Sequence, residues 1–166
     1  MATGLRSSDA MKSWVRSRLS LAAIILAVLV ASCGGQPGVK VSVAGAVVPM
    51  VLSSRSEGTP CSGSVGDAFP QEQPLTTVRG QVPVTFQFEA GDGATGIRGW
   101  IYDVDRGPPS GGPLEEFALP GRRGSYQTRS ILPARTYMVM VNVAWSLVVA
   151  HGEETNVFRL RVEPGG

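Results

Sequence analysis

Hydrophobic residues recur at every second position along much of the chain after residue 38, as expected for β-strands that bury one face. The clearest example is 135–145, where an aromatic residue or a valine occupies every odd position from Tyr137 to Trp145. A helix would place residues two apart about 200° from each other and would scatter this face. The segment therefore predicts a long strand, with Met138 and Met140 on its opposite face.

The same alternation predicts six further strands, and glycine-containing turns separate several of them. The predicted ranges are 39–43, 82–88, 97–105, 114–119, 125–132 and 155–163. No stretch after Cys33 shows an apolar period of 3.6 residues over the length of a helix. About seven strands in about 125 residues predict an all-β fold, an antiparallel β-sandwich.

Two regions between the first two clear strands depart from this alternation. Residues 45–52 stay apolar, but Pro49 would bend or interrupt a strand there. Residues 53–80 contain eight serines and threonines, four glycines and three prolines, with few large apolar side chains. This composition predicts a long loop, either functional or loosely structured.

The N-terminal region carries a different signal. A largely apolar run of twelve residues, 19–30, follows the cations Lys12, Arg16 and Arg18 and precedes two small residues and Cys33. A charged start, an apolar middle and a small-residue cleavage site are typical of a secretory signal peptide. A membrane-spanning helix needs ~20 apolar residues, so this run is too short to be the preferred candidate for one. A signal without lipidation, a membrane anchor and a buried core helix are the weaker alternatives.

The end of the run, Val30-Ala31-Ser32-Cys33, resembles the lipobox of bacterial lipoproteins, in which the cysteine receives the lipid. The resemblance implies a signal-peptide helix within 1–32 and a fatty-acyl anchor, such as palmitate, on Cys33. It also implies a Gly/Pro tether over 33–38 that holds a β-domain, 39–166, off the membrane. The protein would then face the extracytoplasmic side of a cell membrane, in the periplasm or at the cell surface.

The net charge of the chain changes sign if the signal peptide is removed. Four basic residues and one acidic residue lie in 1–32, which leaves eleven basic and twelve acidic residues in the rest of the chain. The basic pI of the full sequence, about 8.8, therefore comes largely from the export signal. Nucleic-acid binding needs a clustered basic face. The only adjacent basic pair, Arg122-Arg123, lies between glycines, so we expect no nucleic-acid partner.

The chain has two cysteines, Cys33 and Cys61. If Cys33 carries lipid, Cys61 has no partner within the chain for a disulfide. In an oxidising compartment such a thiol is buried, modified or paired between molecules. Its neighbours are glycine, serine and proline, which predict a partly exposed loop.

The order of segments over 81–163 resembles the immunoglobulin-like and fibronectin-type superfamily. The stretch from Leu132 to Tyr137 resembles the turn and the tyrosine at the start of the penultimate strand. The resemblance implies that the hydroxyl of Tyr137 bonds to the backbone at a corner between the sheets. It also implies that Trp100 is the core tryptophan of a middle strand.

The disulfide that joins the sheets of antibody domains has no counterpart here, because Val84 and Val143 are apolar where cysteines would stand. The chain also resembles small bacterial lipoproteins of unassigned role, through the alternating ending 156–162. These resemblances imply an architecture, and architecture alone does not imply a function.

His151 is the only histidine, which limits the catalytic and metal sites that the chain can form. A serine triad would combine it with Ser146 or Ser110 and an aspartate, but no Gly-x-Ser-x-Gly motif supports this. A copper site in a β-sandwich requires two histidines and a cysteine. Structural zinc needs four ligands, which Cys61 and His151 alone cannot supply. We expect an exposed loop histidine, with no metal and no cofactor.

Asp103 and Asp105 are two positions apart and so share one face at the end of a predicted strand. Together with Asp92 they offer a candidate calcium site, although the acidic spacing of an EF-hand is absent. A hydrolase with two carboxylates is the other candidate, although no aromatic substrate cleft is indicated around them. The preferred interpretation is an exposed strand end.

Met138 and Met140 form a candidate interaction surface with Leu147, Val148 and Val149 of the following loop. If this sheet face is open, the five side chains make an exposed apolar patch, which commonly marks a binding site. Packing of the methionines against a loop or a partner is the more common arrangement.

No catalytic set emerges from the sequence. We therefore expect a membrane-anchored, non-catalytic lipoprotein that acts as a binding, adaptor or structural module of the cell envelope. Its partner is the membrane, through Cys33, with a further envelope protein or ligand unspecified. Two alternatives stay open: a cell-envelope hydrolase that uses Asp103 and Asp105, and a carrier of a small ligand or ion that uses 53–80 as a lid.

Overall fold

The computed structural model describes residues 38–58, 73–80, 83–104, 112–147 and 151–165. All of them belong to one compact unit of the chain, Gln36–Gly166. They form ten strands: β1 Val39–Val43, β2 Ala46–Val48, β3 Val51–Gly58, β4 Leu75–Arg79, β5 Thr85–Ala90, β6 Ala94–Asp103, β7 Glu115–Pro120, β8 Arg123–Gln127, β9 Thr136–Ser146 and β10 His151–Glu163.

Several predicted features lie outside the described residues. They are the signal peptide, Cys33, Cys61, Asp105, Ser110, Val148 and Val149.

The strands form two sheets. The four-stranded sheet has the order β2-β1-β5-β8, and the six-stranded sheet has the order β3-β10-β9-β6-β7 with β4 also paired to β10. All pairs are antiparallel except β4 with β10, which run parallel. β9 pairs along nearly the whole of one edge of β10. The other edge is therefore shared, by β3 over His151–Val157 and by β4 over Arg159–Glu163.

The hydrophobic core lies between the two sheets. The ring centroids of Phe86 on β5 and Phe158 on β10 are 6.5 Å apart. Those of Phe88 on β5 and Phe117 on β7 are 5.2 Å apart. Because each pair joins one sheet to the other, the inner faces interdigitate as in a β-sandwich.

The alternation in the sequence predicts the buried faces of β1, β5 and β9 correctly. In β9, Tyr137, Trp145 and the three valines between them are all buried. The strand prediction for 135–145 is confirmed by β9, which spans Thr136–Ser146. The all-β prediction is likewise confirmed for the described residues.

The predicted number of strands is too low, because β2, β3 and β4 were not expected. The loop predicted for 53–80 contains the greater part of β3 at one end and the whole of β4 at the other. Both strands are short of apolar side chains and pair with β10, which lies about a hundred positions further along the chain. Their hydrogen bonds come from a partner that local composition does not reveal.

The prediction that Trp100 is a core residue is wrong. On β6 the buried positions are Ile97, Gly99 and Ile101, and Trp100 is half-buried on the opposite, outer face. A Cβ atom at Gly99 would overlap the ring of Phe117, which occupies this part of the core instead. The glycine therefore makes room for an aromatic side chain from β7.

Candidate functional site

A tyrosine corner stands at the start of β9. The hydroxyl of Tyr137, which is 1% exposed, donates a hydrogen bond of 2.8 Å to the backbone oxygen of Pro133. This confirms the backbone bond that the resemblance implied for Tyr137. Because the bond satisfies a buried hydroxyl and fixes the turn before β9, its role is structural.

Glu115 is a buried carboxylate that accepts several hydrogen bonds. It is 8% exposed and accepts bonds from the hydroxyl of Tyr126 at 2.5 Å and from the backbone N–H of Arg129 at 3.1 Å. The hydroxyl of Ser130 lies 3.4 Å away. These contacts join β7 of one sheet to β8 of the other and to the loop after it.

The bond to Glu115 also affects the ionisation of Tyr126. Burial, followed by the adjacent carboxylate, raises the pKa of Tyr126 from 10.0 to about 12. The ring of Tyr126 stacks on Phe117, with centroids 4.2 Å apart. The ring pair and the carboxylate together close the open edge between the two sheets.

The predicted aspartates do not come together. Asp92 lies in the turn before β6, and Asp103 is the last residue of that strand. Ten residues of extended strand separate them by about 30 Å, so they cannot share a cation. Asp92 is paired with Arg122, whereas Asp103 is paired with Arg135 at 3.1 Å. Asp92 therefore cannot contribute to a cation site at Asp103, and Asp105, the other residue of the candidate site, lies outside the described residues.

Asp103 lies instead near a carboxylate that the sequence analysis did not single out. Asp103 and Glu115 both line a concavity of about 350 Å³, together with Arg135 and the tyrosine corner. Each carboxylate is engaged, by Arg135 or by the donors around Glu115. In the described ranges, no group of three or more metal-ligating side chains is placed to hold an ion.

His151 is not in a loop, because it is the first residue of β10, where it is exposed and faces Ser146 across the hairpin. No hydrogen bond joins these two side chains within the described part of the chain. Asp92 is paired with Arg122. Asp103 lies at the opposite end of β6 from Ala94, which pairs with Trp145 beside Ser146. Among the described residues, neither aspartate therefore completes a triad.

The predicted apolar patch is only partly open. Met138 and Met140 lie on the outer face of β9, as predicted, but Met138 is 3% exposed. The side-chain nitrogen of Gln73 lies 3.9 Å from its sulfur. Leu147 packs toward Gly93, at the far end of β9.

A groove crosses the outer face of the six-stranded sheet and was not predicted. We call it the transverse groove. Its floor is formed by Gly96, Ala118 and Ala144, and its volume is about 540 Å³. The charged, amide and aromatic side chains that line it are those of Arg98, Trp100, Asn142 and Glu153. The sequence signals this groove only through the large side chains at alternate positions of β6, which are Arg98, Trp100 and Tyr102. The prediction that Trp100 lies in the core obscures this signal.

The polar side chains of the transverse groove are partly connected. The amide nitrogen of Asn142 donates to the hydroxyl of Thr155 at 3.1 Å and to a carboxylate oxygen of Glu153 at 3.4 Å. Arg98 is exposed and has no ion-pair partner among the described residues. The groove therefore presents a guanidinium, an amide oxygen and a carboxylate beside an aromatic ring.

A buried polar network lies near the β3 edge of the same sheet. Glu154, 5% exposed, accepts bonds of 2.7 Å from Arg55 and from the amide of Asn156. The indole nitrogen of Trp145 is buried without a hydrogen-bond partner in the described ranges. The Arg55–Glu154 pair joins β3 to β10 beside an irregularity in their pairing.

Comparison of the chain with protein-family models, with curated proteins and with solved structures found no match. Among the described residues there is also no helix long and apolar enough to cross a membrane.

Proposed function

We propose that the chain is an exported lipoprotein, anchored through Cys33, whose β-domain is a non-catalytic binding or structural module of the cell envelope. The observation that carries this proposal is the segment 19–33, with its apolar run and lipobox-like ending. Two or three acyl chains give firm anchoring at ~0.8 kcal/mol per buried methylene, whereas one chain is marginal.

The contacts of the acidic side chains support a non-catalytic role. Glu115 accepts bonds that hold the two sheets together. Asp103 and Asp92 are each paired with an arginine. A general acid or base needs a carboxyl group that is free to exchange a proton with substrate. These three groups instead serve packing and surface ion pairs, which gives the hydrolase alternative little support.

We also propose that the fold is a variant of the immunoglobulin-like sandwich. The tyrosine corner at Tyr137 supports it, since that fold carries one at the start of its penultimate strand. The adjacent strands β6-β9-β10 correspond in order to C, F and G of that fold, and β1-β5-β8 correspond to A, B and E. β2, which forms a hairpin with β1, and β3, which pairs with β10, are additions to this plan.

Lipidation is tested by comparing Cys33→Ser with Cys61→Ser, which is the matched cysteine control. We expect the intact mass of the mature wild-type protein to equal that of a chain that starts at Cys33 plus a diacylglycerol and acyl chains. Cys61→Ser should keep the added lipid mass and should still partition into the detergent phase. Cys33→Ser should lose both the acyl mass and the partitioning.

A mature wild-type protein without acyl mass on Cys33 would overturn the anchor. Equal partitioning of the Cys33→Ser variant into detergent would do the same, because the acyl chains would then not be the membrane attachment.

A further inference from the structure

The transverse groove continues along β7, at the edge of the sheet. Arg98 and Ala118 line it and also line a second concavity over β7, with Glu116 and Arg129 on the far side. The two concavities therefore meet at Arg98. Together they form one open path across the sheet face.

The direction of this path follows from the strand register. Arg98 pairs with Asn142 on β9 and with Ala118 on β7, and Asn142 pairs with Thr155 on β10. A row of paired residues runs perpendicular to the strands, and neighbouring strands are about 4.8 Å apart. Four strands give a path of about 14 Å, which suits a short linear chain of rings.

The backbone under this path is not available to a ligand. β6 and β9 each have a paired strand on both sides, so the interior strands have their N–H and C=O groups directed at each other. A peptide that binds by strand addition needs an unpaired sheet edge. An occupant of the transverse groove must be held by side chains alone, which disfavours an extended peptide.

The side chains match a ligand that carries many hydroxyl groups. Arg98 donates hydrogen bonds, Glu153 accepts them, and the side-chain oxygen of Asn142 is an acceptor without a partner in the described ranges. A sugar hydroxyl both donates and accepts, so it can use each of these groups. Trp100 offers an apolar ring surface beside them, on which the C–H face of a sugar ring can pack.

We propose that the transverse groove binds a neutral oligosaccharide chain, with Trp100 as the stacking surface and Arg98, Asn142 and Glu153 as hydrogen-bonding groups. The proposal rests on the proposed binding role and specifies its ligand class. The floor of Gly96, Ala118 and Ala144 leaves the space that the sugar rings occupy.

The test uses the mature full-length protein in detergent micelles, titrated with cellotetraose and with tetra-N-acetylchitotetraose. Binding is followed by calorimetry and by tryptophan fluorescence. We expect saturable binding of at least one of the two, with a dissociation constant on the order of 1 mM or below, as befits a shallow open site. Trp100→Ala should weaken it about tenfold or more.

A second variant, Ala118→Leu, fills the floor of the transverse groove without removing any contact within the fold. It should also abolish binding, and its thermal midpoint shows that it is folded. Arg122→Ala is the matched control, because Arg122 is partly exposed on the turn after β7 and lies outside the groove. It should bind as the wild type does.

Absence of saturable binding of both saccharides at millimolar concentration would overturn the proposal. Wild-type affinity in both Trp100→Ala and Ala118→Leu would overturn it as well. The same titration on Cys33→Ser separates it from the anchor, because this variant should bind the saccharide as the wild type does. In the wild-type protein, saccharide binding without acylation contradicts the anchor alone, and acylation without saccharide binding contradicts the ligand alone.

Discussion

Glu115 shows how a single residue can hold the two sheets together. Its carboxylate lies on β7 and accepts bonds from Tyr126 on β8 and from the backbone of Arg129 beyond it. A buried carboxylate left without donors would cost several kcal/mol, so the three donors around it form a set that must assemble together. The edge of the sandwich therefore depends on polar as well as apolar contacts.

The raised pKa of Tyr126 predicts a loss of stability at high pH. The folded protein holds the phenol proton more tightly than the unfolded chain does, since the pKa rises from 10.0 to about 12. The contribution is complete below pH 10 and disappears as the pH rises toward 12. Urea unfolding at pH 8 to 12 should show the free energy of unfolding falling across this interval.

In Tyr126→Phe the part of this fall due to the phenol should disappear, and the tyrosine absorbance change near pH 12 should be lost with it. Glu115→Gln should lower the pKa of Tyr126, because the carboxylate is one cause of the shift. An unchanged pH profile in Tyr126→Phe would show that other groups govern stability in this range.

At the scale of strands, β6 has two glycines with different surroundings. A Cβ at Gly99 would overlap the ring of Phe117, whereas a Cβ at Gly96 would meet only the backbone oxygen of Leu119, at 3.7 Å. The first glycine is therefore required by the core, and the second is not.

Gly99→Ala should lower the free energy of unfolding by about 1–3 kcal/mol, because an added methyl group forces Phe117 to move. Gly96→Ala, on the same strand, should be neutral or stabilising by up to about 1 kcal/mol, since glycine is unfavourable inside strands. Chemical denaturation of both variants measures the difference. Equal destabilisation by the two substitutions would contradict the close packing of Phe117 on Gly99.

Two of the ion pairs on β10, each joining it to a neighbouring strand, should differ in their energetic value. Glu154 pairs with Arg55, and their side chains are 7% and 27% exposed. Glu163 pairs with Arg79, and their side chains are 35% and 82% exposed. The first pair is shielded from water and fixes β3 on β10, and the second lies at the surface.

Glu154→Ala should therefore destabilise the fold by about 3 kcal/mol, because it removes a buried carboxylate that accepts bonds from both Arg55 and Asn156. Glu163→Ala should cost no more than about 1 kcal/mol. Equilibrium unfolding of both variants gives the comparison. Similar values for the two would mean that the Arg55–Glu154 pair is screened as the surface pair is.

At the scale of strands, the sequence predicts some features correctly and misses others. Alternation in 135–145 was enough to place β9 and its buried face, since each side chain there follows the pleat of its own strand. For β6, the alternation separates the side chains into two faces but does not indicate which face is buried. That choice depends on Phe117, which fills the space over Gly99 and leaves Trp100 on the outside.

For the whole molecule, the sheets and the proposed membrane signal lie in different parts of the chain. The β-domain buries one contiguous apolar core between its sheets. The proposed anchor is carried by 19–33 and the proposed saccharide site by the outer face of β6, β9 and β10. Attachment and recognition would thus be separable, which is why Cys33→Ser and Trp100→Ala are expected to remove one property each.

By itself, the sequence determined the all-β character of the domain, most of its central strands and the bond of Tyr137 at the corner. These follow from local periodicity and from a turn with a characteristic tyrosine. Only the tertiary structure decided that β3 and β4 pair with β10, that Asp92 and Asp103 lie far apart, and that Trp100 borders a groove. Each of these depends on contacts between residues distant in sequence, whose energies no local pattern of apolar and polar residues contains.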